Sequence, residues 1–169
     1  ANLRSRIADL ARDHVISIGT DVASGLNYLH LMRPDPIIHR DVSSANVLVE
    51  RMSTESGSYY RAKVSDYGSA NFLSKVTTKG PGSIIYGAPE LCDPKLQSPK
   101  MDVYSYGILL LEMATGLFPD HNLQAVLLDT LPWQEMAAMI RRCICPKISD
   151  RPAMKDILFE LPQMKQKLN

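Results

Sequence analysis

His39-Arg40-Asp41-Val42-Ser43-Ser44-Ala45-Asn46 is the stretch whose flanks decide the fold of this chain. Ahead of it, Pro34 and Pro36 bias the chain away from the α region, so Ile37-Ile38 enters extended. Beyond it, two short β-branched runs, Val47-Leu48-Val49 and Ala62-Lys63-Val64, predict a hairpin with a polar loop from about Met52 to Ser58. Asn46 stands at the head of the first strand, and Asp66, in Asp66-Tyr67-Gly68, lies just past the second. Two oxygen-bearing side chains far apart in sequence are thereby brought to one end of a hairpin. Gly68 permits a sharp turn after Asp66, which a Cβ would resist.

Outward from this centre the pattern is helical. Ile18, Val22, Leu26 and Leu29 recur at steps of four, four and three, one face of a helix that starts at Leu3 or later and ends by Pro34. A second helix over about 100–115 is apolar nearly all round, which predicts burial at the domain centre, and Gly116 ends it. A helix is expected around Trp133 to Cys143; Ser149-Asp150-Arg151-Pro152 opens another, which Pro162 closes. Between Tyr67 and Pro99 the residues are rich in Gly, Ser, Thr and Pro without a period, and a surface loop of that length in a compact domain is usually functional. The fold class is mainly α with a small β-hairpin.

Composition narrows the function classes. The 169 residues carry 19 Lys+Arg against 18 Asp+Glu, a net charge of +1, so no broad field attracts nucleic acid. The longest apolar run, Gly107 to Leu111, stops at Glu112, far short of the roughly 20 residues that a membrane span needs. Charges at Arg4, Arg6, Asp9, Arg12 and Asp13 interrupt any signal-peptide core. Cys92, Cys143 and Cys145 form no disulfide framework, and as buried thiols they suit a reducing, cytoplasmic setting. His14, His30 and His121 have no ligand spacing and read as surface or core residues.

The order of short motifs is more specific. His39 to Asn46 fits H-R-D-x-x-x-x-N, Asp66-Tyr67-Gly68 follows, then Ala88-Pro89-Glu90, Asp102-Val103-Tyr104-Ser105-Tyr106-Gly107 and Arg151. Together they resemble the eukaryotic protein kinase catalytic domain, over essentially the whole chain (1–169), and only its larger, C-terminal lobe. The resemblance implies a catalytic loop at 37–46, a metal triplet at 66–68, an activation segment at 66–90 and a central helix over about 100–115. It makes Asp41 the catalytic group that accepts the proton of a substrate hydroxyl, while Asn46 and Asp66 hold Mg2+ against the phosphates of ATP. Leu48 and the Ile37-Ile38 region would face adenine and a smaller lobe. His39 becomes a packed spine residue, Arg40 a receptor for phosphate from the long loop, Glu90 and Arg151 a buried ion pair, and Asp102 an acceptor for backbone of the catalytic segment. Thr77 or Thr78 is the expected phosphorylation site facing Arg40, and Ser83 the hydroxyl bridging toward Asp41.

Departures from the family pattern matter as much. The glycine-rich loop, the strand lysine and its glutamate partner are absent, so the N-terminal lobe is expected to be missing and the 169 residues alone inactive; the lobe, or another protein, would cover the exposed face. Ser43 stands where serine/threonine kinases keep a lysine on the transferred phosphate, and Ala45 lacks the tyrosine-kinase arginine. Gly82 to Glu90 follows the serine/threonine and tyrosine-kinase-like pattern, which points to a protein Ser/Thr substrate. Tyr67 replaces the usual phenylalanine, adding a hydroxyl that needs a partner. The competing functions are a pseudokinase-like scaffold, a tyrosine-specific kinase and a phosphohydrolase with Asp41 and Asp66 as a two-metal pair; the last leaves Ala88-Pro89-Glu90 unexplained.

Overall fold

A computed structural model describes residues 1–55, 57–73 and 84–166. Its centre is helix α2, Pro99–Thr115, which begins where Ser98 Oγ accepts the Lys100 N–H and ends at Gly116, a left-handed residue with φ 71°. From Met101 to Met113 only Tyr104 escapes full burial, as the unbroken apolar pattern requires. Helix α1, Arg12–His30, packs beside it through Val15, Ile18, Val22 and Leu26. The two come close at Gly19, whose carbonyl accepts the Tyr106 hydroxyl at 2.9 Å. A Cβ at Gly19 would lie 3.1 Å from that hydroxyl.

Helix α4, Gln134–Cys143, covers the far side of α2, and α5, Met154–Gln166, packs on α1. The α2–α4 contact depends on Gly107, where an added Cβ would stand 2.7 Å from the Cys143 Cβ. Pro162 lies inside α5 rather than ending it. A proline forfeits one backbone bond, and the buried Leu161 and Met164 hold the last turn against the core regardless. Helix α3, His121–Thr130, has no counterpart in the sequence reading. Leu123 and Val126 are exposed on it and only Leu128 is buried, so it lacks the apolar stripe by which a helix is recognised.

Strands β2, Val47–Thr54, and β3, Gly57–Val64, pair antiparallel from Val47↔Val64 to Thr54↔Gly57. The expected loop from Met52 to Ser58 is therefore mostly strand. Its polar residues sit on paired backbone at the distal, exposed end, where composition does not distinguish strand from loop. Val47, Val49, Ala62 and Val64 face the core, and Asp21 of α1 accepts the Ala62 N–H at 2.8 Å, fixing the hairpin to the helix. Strands β1, Ile37–Ile38, and β4, Asn71–Phe72, form a second small sheet, Ile37↔Phe72 and Ile38↔Asn71. This pairing structures the start of the segment read as loop, and it corrects the expectation for Ile37-Ile38: Ile38 is fully buried and Ile37 half-buried, whereas Leu48 is 49% exposed as expected. The thiols divide as well, with Cys143 buried, Cys145 intermediate and Cys92 exposed, against the expectation of three buried sulfurs. Among the described residues no helix is long and apolar enough to cross a membrane.

Candidate functional site

The loop from His39 to Asn46 leaves β1 and turns back into β2 through a 3-10 turn at Ser44–Asn46. Its two ends are tied to other elements. Asp102, on the first turn of α2 and 1% exposed, accepts the His39 N–H and the Arg40 N–H, each at 2.9 Å. A buried carboxylate needs such donors, and it takes a third from the His30 ring at 2.8 Å. His30, which lacked any ligand spacing in sequence, is thus part of the loop's support; its place at the end of α1 is visible in sequence, but its partner 72 residues away is not.

Inside the loop, Asn46 Nδ2 donates to the Asp41 carbonyl at 2.9 Å and to its carboxylate at 2.8 Å. This orients Asp41. The Asn46 carbonyl in turn receives the Ser65 N–H at 2.8 Å and its hydroxyl at 3.0 Å. Asn46 and Ser65, the neighbour of Asp66, are therefore locked together at the mouth of the hairpin, as the strand register dictates. Asp66 is exposed and left-handed, φ 61°, and its carboxylate accepts the Gly68 N–H at 3.3 Å. The strained residue is thus Asp66 rather than Gly68. The glycine matters for closeness, since a Cβ there would lie 3.2 Å from the Asp66 carboxylate.

The remaining residues fall into place around this centre. His39 is buried; its Nδ1 takes the Asp41 N–H at 3.3 Å and its Nε2 faces the Ser65 carbonyl at 3.1 Å, which assigns the ring proton to Nε2. Tyr67 packs edge-on to His39 and donates its hydroxyl to the Val64 carbonyl at 3.2 Å, the partner its substitution for phenylalanine demanded. Ser43 is buried and its carbonyl receives the Asn46 N–H. Arg40 has φ 67° and donates from Nε to the Ser69 carbonyl at 2.7 Å, while one terminal nitrogen is buried with no partner among the described residues. Glu90 and Arg151 form a buried, two-pronged ion pair at 2.5 and 3.0 Å, and Arg151 also caps the Cys145 carbonyl. Thr77, Thr78 and Ser83 lie outside the described residues.

A second buried polar group was not legible in sequence. Glu112, 2% exposed on α2, accepts the Ser44 hydroxyl at 3.0 Å and the Tyr86 hydroxyl at 2.5 Å. Burial pushes the Glu112 carboxyl upward, against the lowering effect of the two hydroxyls and of Arg4, and pushes Tyr86 up to about 12.

Asn46 and Asp66 carry hard oxygen donors on the two strand ends that Ser65 joins, and among the described residues no group of three or more His, Cys, Asp or Glu could hold a metal ion. That donor set fits magnesium, which is bound through one or two protein oxygens plus phosphates rather than in an all-protein cage.

Residues 1–161 match the protein kinase domain family, and the chain belongs to it. Among curated proteins it is 31% identical to the seven transmembrane domain-containing tyrosine-protein kinase 1 of Dictyostelium discoideum, over 84% of this chain and 22% of that protein. It is 35% identical to a probable serine/threonine-protein kinase of the same organism, over 88% of this chain and 15% of that one. To the calmodulin-binding receptor-like cytoplasmic kinase 2 of Arabidopsis thaliana it is 31% identical, over 83% and 41%. The chain thus spans less than half the length of these relatives.

Proposed function

We propose that this chain is the C-terminal, substrate-side lobe of a protein kinase that transfers the γ-phosphate of ATP to a Ser or Thr hydroxyl of a protein. The observation that supports this is the hydrogen-bonded line Asp41, Asn46, Ser65, which ties the Asp41 carboxylate to Asn46 and Asn46 to the neighbour of Asp66 at the hairpin mouth. In-line phosphoryl transfer needs positioning and charge screening more than covalent chemistry. Asp41 receives the proton of the attacking hydroxyl. Asn46 and Asp66 hold Mg2+, which when bound screens the phosphate oxygens. Leu48, exposed on the hairpin's outer face, supports the adenine and a second lobe, and Ser43 stands in the sequence position that serine/threonine kinases usually fill with a phosphate-contacting lysine.

Serine/threonine specificity is supported by the Gly82 to Glu90 pattern and by the serine/threonine kinase among the relatives. The buried, unpartnered nitrogen of Arg40 supports its role as receptor for a phosphate on Thr77 or Thr78, with Ser83 bridging toward Asp41. The three free cysteines support a cytoplasmic setting. A scaffold role is the second reading, favoured by a serine at position 43 in place of a cation. The two readings separate in one assay. The purified full-length protein, given radiolabelled ATP, magnesium and a generic protein substrate, should yield phosphoserine or phosphothreonine on acid hydrolysis. Asp41→Asn should lower the rate about 10²- to 10⁴-fold at unchanged melting temperature. Equal activity of the variant would remove Asp41 from the chemistry, and label on tyrosine would overturn the specificity.

A further inference from the structure

The catalytic loop is held to α2 at two points. At its entry Asp102 takes the His39 and Arg40 amides; at its exit the Ser44 hydroxyl donates to Glu112, ten residues further along the same helix. Ten residues of helix are about 15 Å of rigid rod. Ser44 opens the 3-10 turn that ends in Asn46, and Asn46 orients the Asp41 carboxylate, so the exit anchor lies one turn from the reacting atoms.

The same anchor is shared with a second segment. The Tyr86 hydroxyl donates to the other oxygen of Glu112 and lies 3.1 Å from Ser44 Oγ. Tyr86 belongs to the stretch that closes the activation segment, just before Ala88-Pro89-Glu90. With both hydroxyl protons given to the carboxylate, Ser44 Oγ is left to accept, and Arg4 Nε donates to it at 3.2 Å. Arg4 also lies over the Phe118 ring, 5.6 Å from its centroid, which keeps the guanidinium beside a carboxylate that is otherwise out of water. Ser44, Tyr86 and Glu112 are each no more than 2% exposed, so no solvent substitutes for a lost bond.

We propose that Ser44, supported by Arg4, is a positioning residue that couples the seating of Tyr86 to the geometry of Asp41 and Asn46. The proposal rests on the phosphotransfer reading for its consequence in rate, but not for the coupling itself. When Tyr86 withdraws, Glu112 loses one of two donors and pulls on Ser44 alone; when Tyr86 is seated, the exit of the loop is fixed.

Two readouts test it on the purified full-length protein. In steady-state kinetics Ser44→Ala should lower kcat tenfold or more with the KM for ATP within twofold, and Ser44→Thr should restore at least half of kcat. In hydrogen exchange followed by mass spectrometry, Ser44→Ala should speed exchange of residues 43–46 and of residues 84–88 together, and Tyr86→Phe should do the same in both segments. A Ser44→Ala protein with unchanged kcat, or with faster exchange confined to its own loop, overturns the coupling. If the wild type transfers no phosphate at all, the phosphotransfer reading fails and the exchange pattern alone decides this one. Should Ser44→Ala not fold, Tyr86→Phe carries both readouts, and a silent loop 43–46 in that variant overturns the proposal.

Discussion

The loop from His39 to Asn46, with the turn at Asp66 to Gly68, and the central helix are built on opposite terms. The loop and turn contain both non-glycine residues with positive φ among those described, Arg40 at 67° and Asp66 at 61°, and Asp66 is exposed. Backbone of this kind costs on the order of 1–3 kcal/mol per residue and persists only where its surroundings over-determine it. Helix α2 has ordinary caps, a continuous buried run and two buried carboxylates facing outward to neighbouring segments. The contrast teaches where the strain is supported: Asp102 holds the amide of the strained Arg40, and Asn46 and Ser65 hold the approach to Asp66.

Breaking the support should cost more than relaxing the strain. The largest stability loss is expected at the ion pair that fixes Glu90 to Arg151. Arg151→Met leaves Glu90 charged and buried, and should destabilise the protein by about 3 to 5 kcal/mol in urea unfolding. A loss under 1 kcal/mol would mean that the helices, not the pair, hold Glu90 in place.

Asp102→Asn is expected to cost less stability, about 1 to 3 kcal/mol, because one carboxylate oxygen is replaced by a donor that faces an N–H. Its effect on phosphate transfer should exceed its effect on melting, since the residue acts through the loop. A variant that melts early but transfers at the wild-type rate would separate α2 from the site and undo the comparison.

The smallest effect is a matter of pH. Burial raises the Glu112 carboxyl above its ordinary value near 4.5, so the folded protein holds that proton more tightly than the unfolded chain does. The resulting stability is present in full below the ordinary value and is lost as pH climbs through the raised one. Glu112→Gln should therefore flatten the melting temperature from pH 4.5 upward across this range relative to wild type. An unaltered slope would show that Arg4 and the two hydroxyls fully compensate the charge.

Much of this was legible in sequence for a simple reason. Helix α2 is apolar on all sides, Gly116 can end it in the left-handed region, and the β-branched runs on either side of residues 50–61 have no other use than to pair. The stretches His39 to Asn46 and Asp66 to Gly68 carry residue types whose spacing is itself the signal. What sequence did not disclose depends on pairing at long range: β1 with β4, His30 with Asp102, and Ser44 and Tyr86 with Glu112. A serine or histidine looks the same in sequence whether it meets water or a buried carboxylate. Pro162 misled because a local rule about proline yielded to the burial of Leu161 and Met164.

The proposed convergence of Asp41, Asn46 and Asp66 on one metal is tested most directly by paramagnetic broadening with Mn2+ in the presence of a non-hydrolysable ATP analogue. Amide signals of residues 41–46 and 65–68 should broaden first and together, and Asp66→Asn should abolish the effect in both segments. Broadening that begins instead at surface carboxylates such as Asp129 and Asp150, or that persists unchanged in Asp66→Asn, would contradict the site.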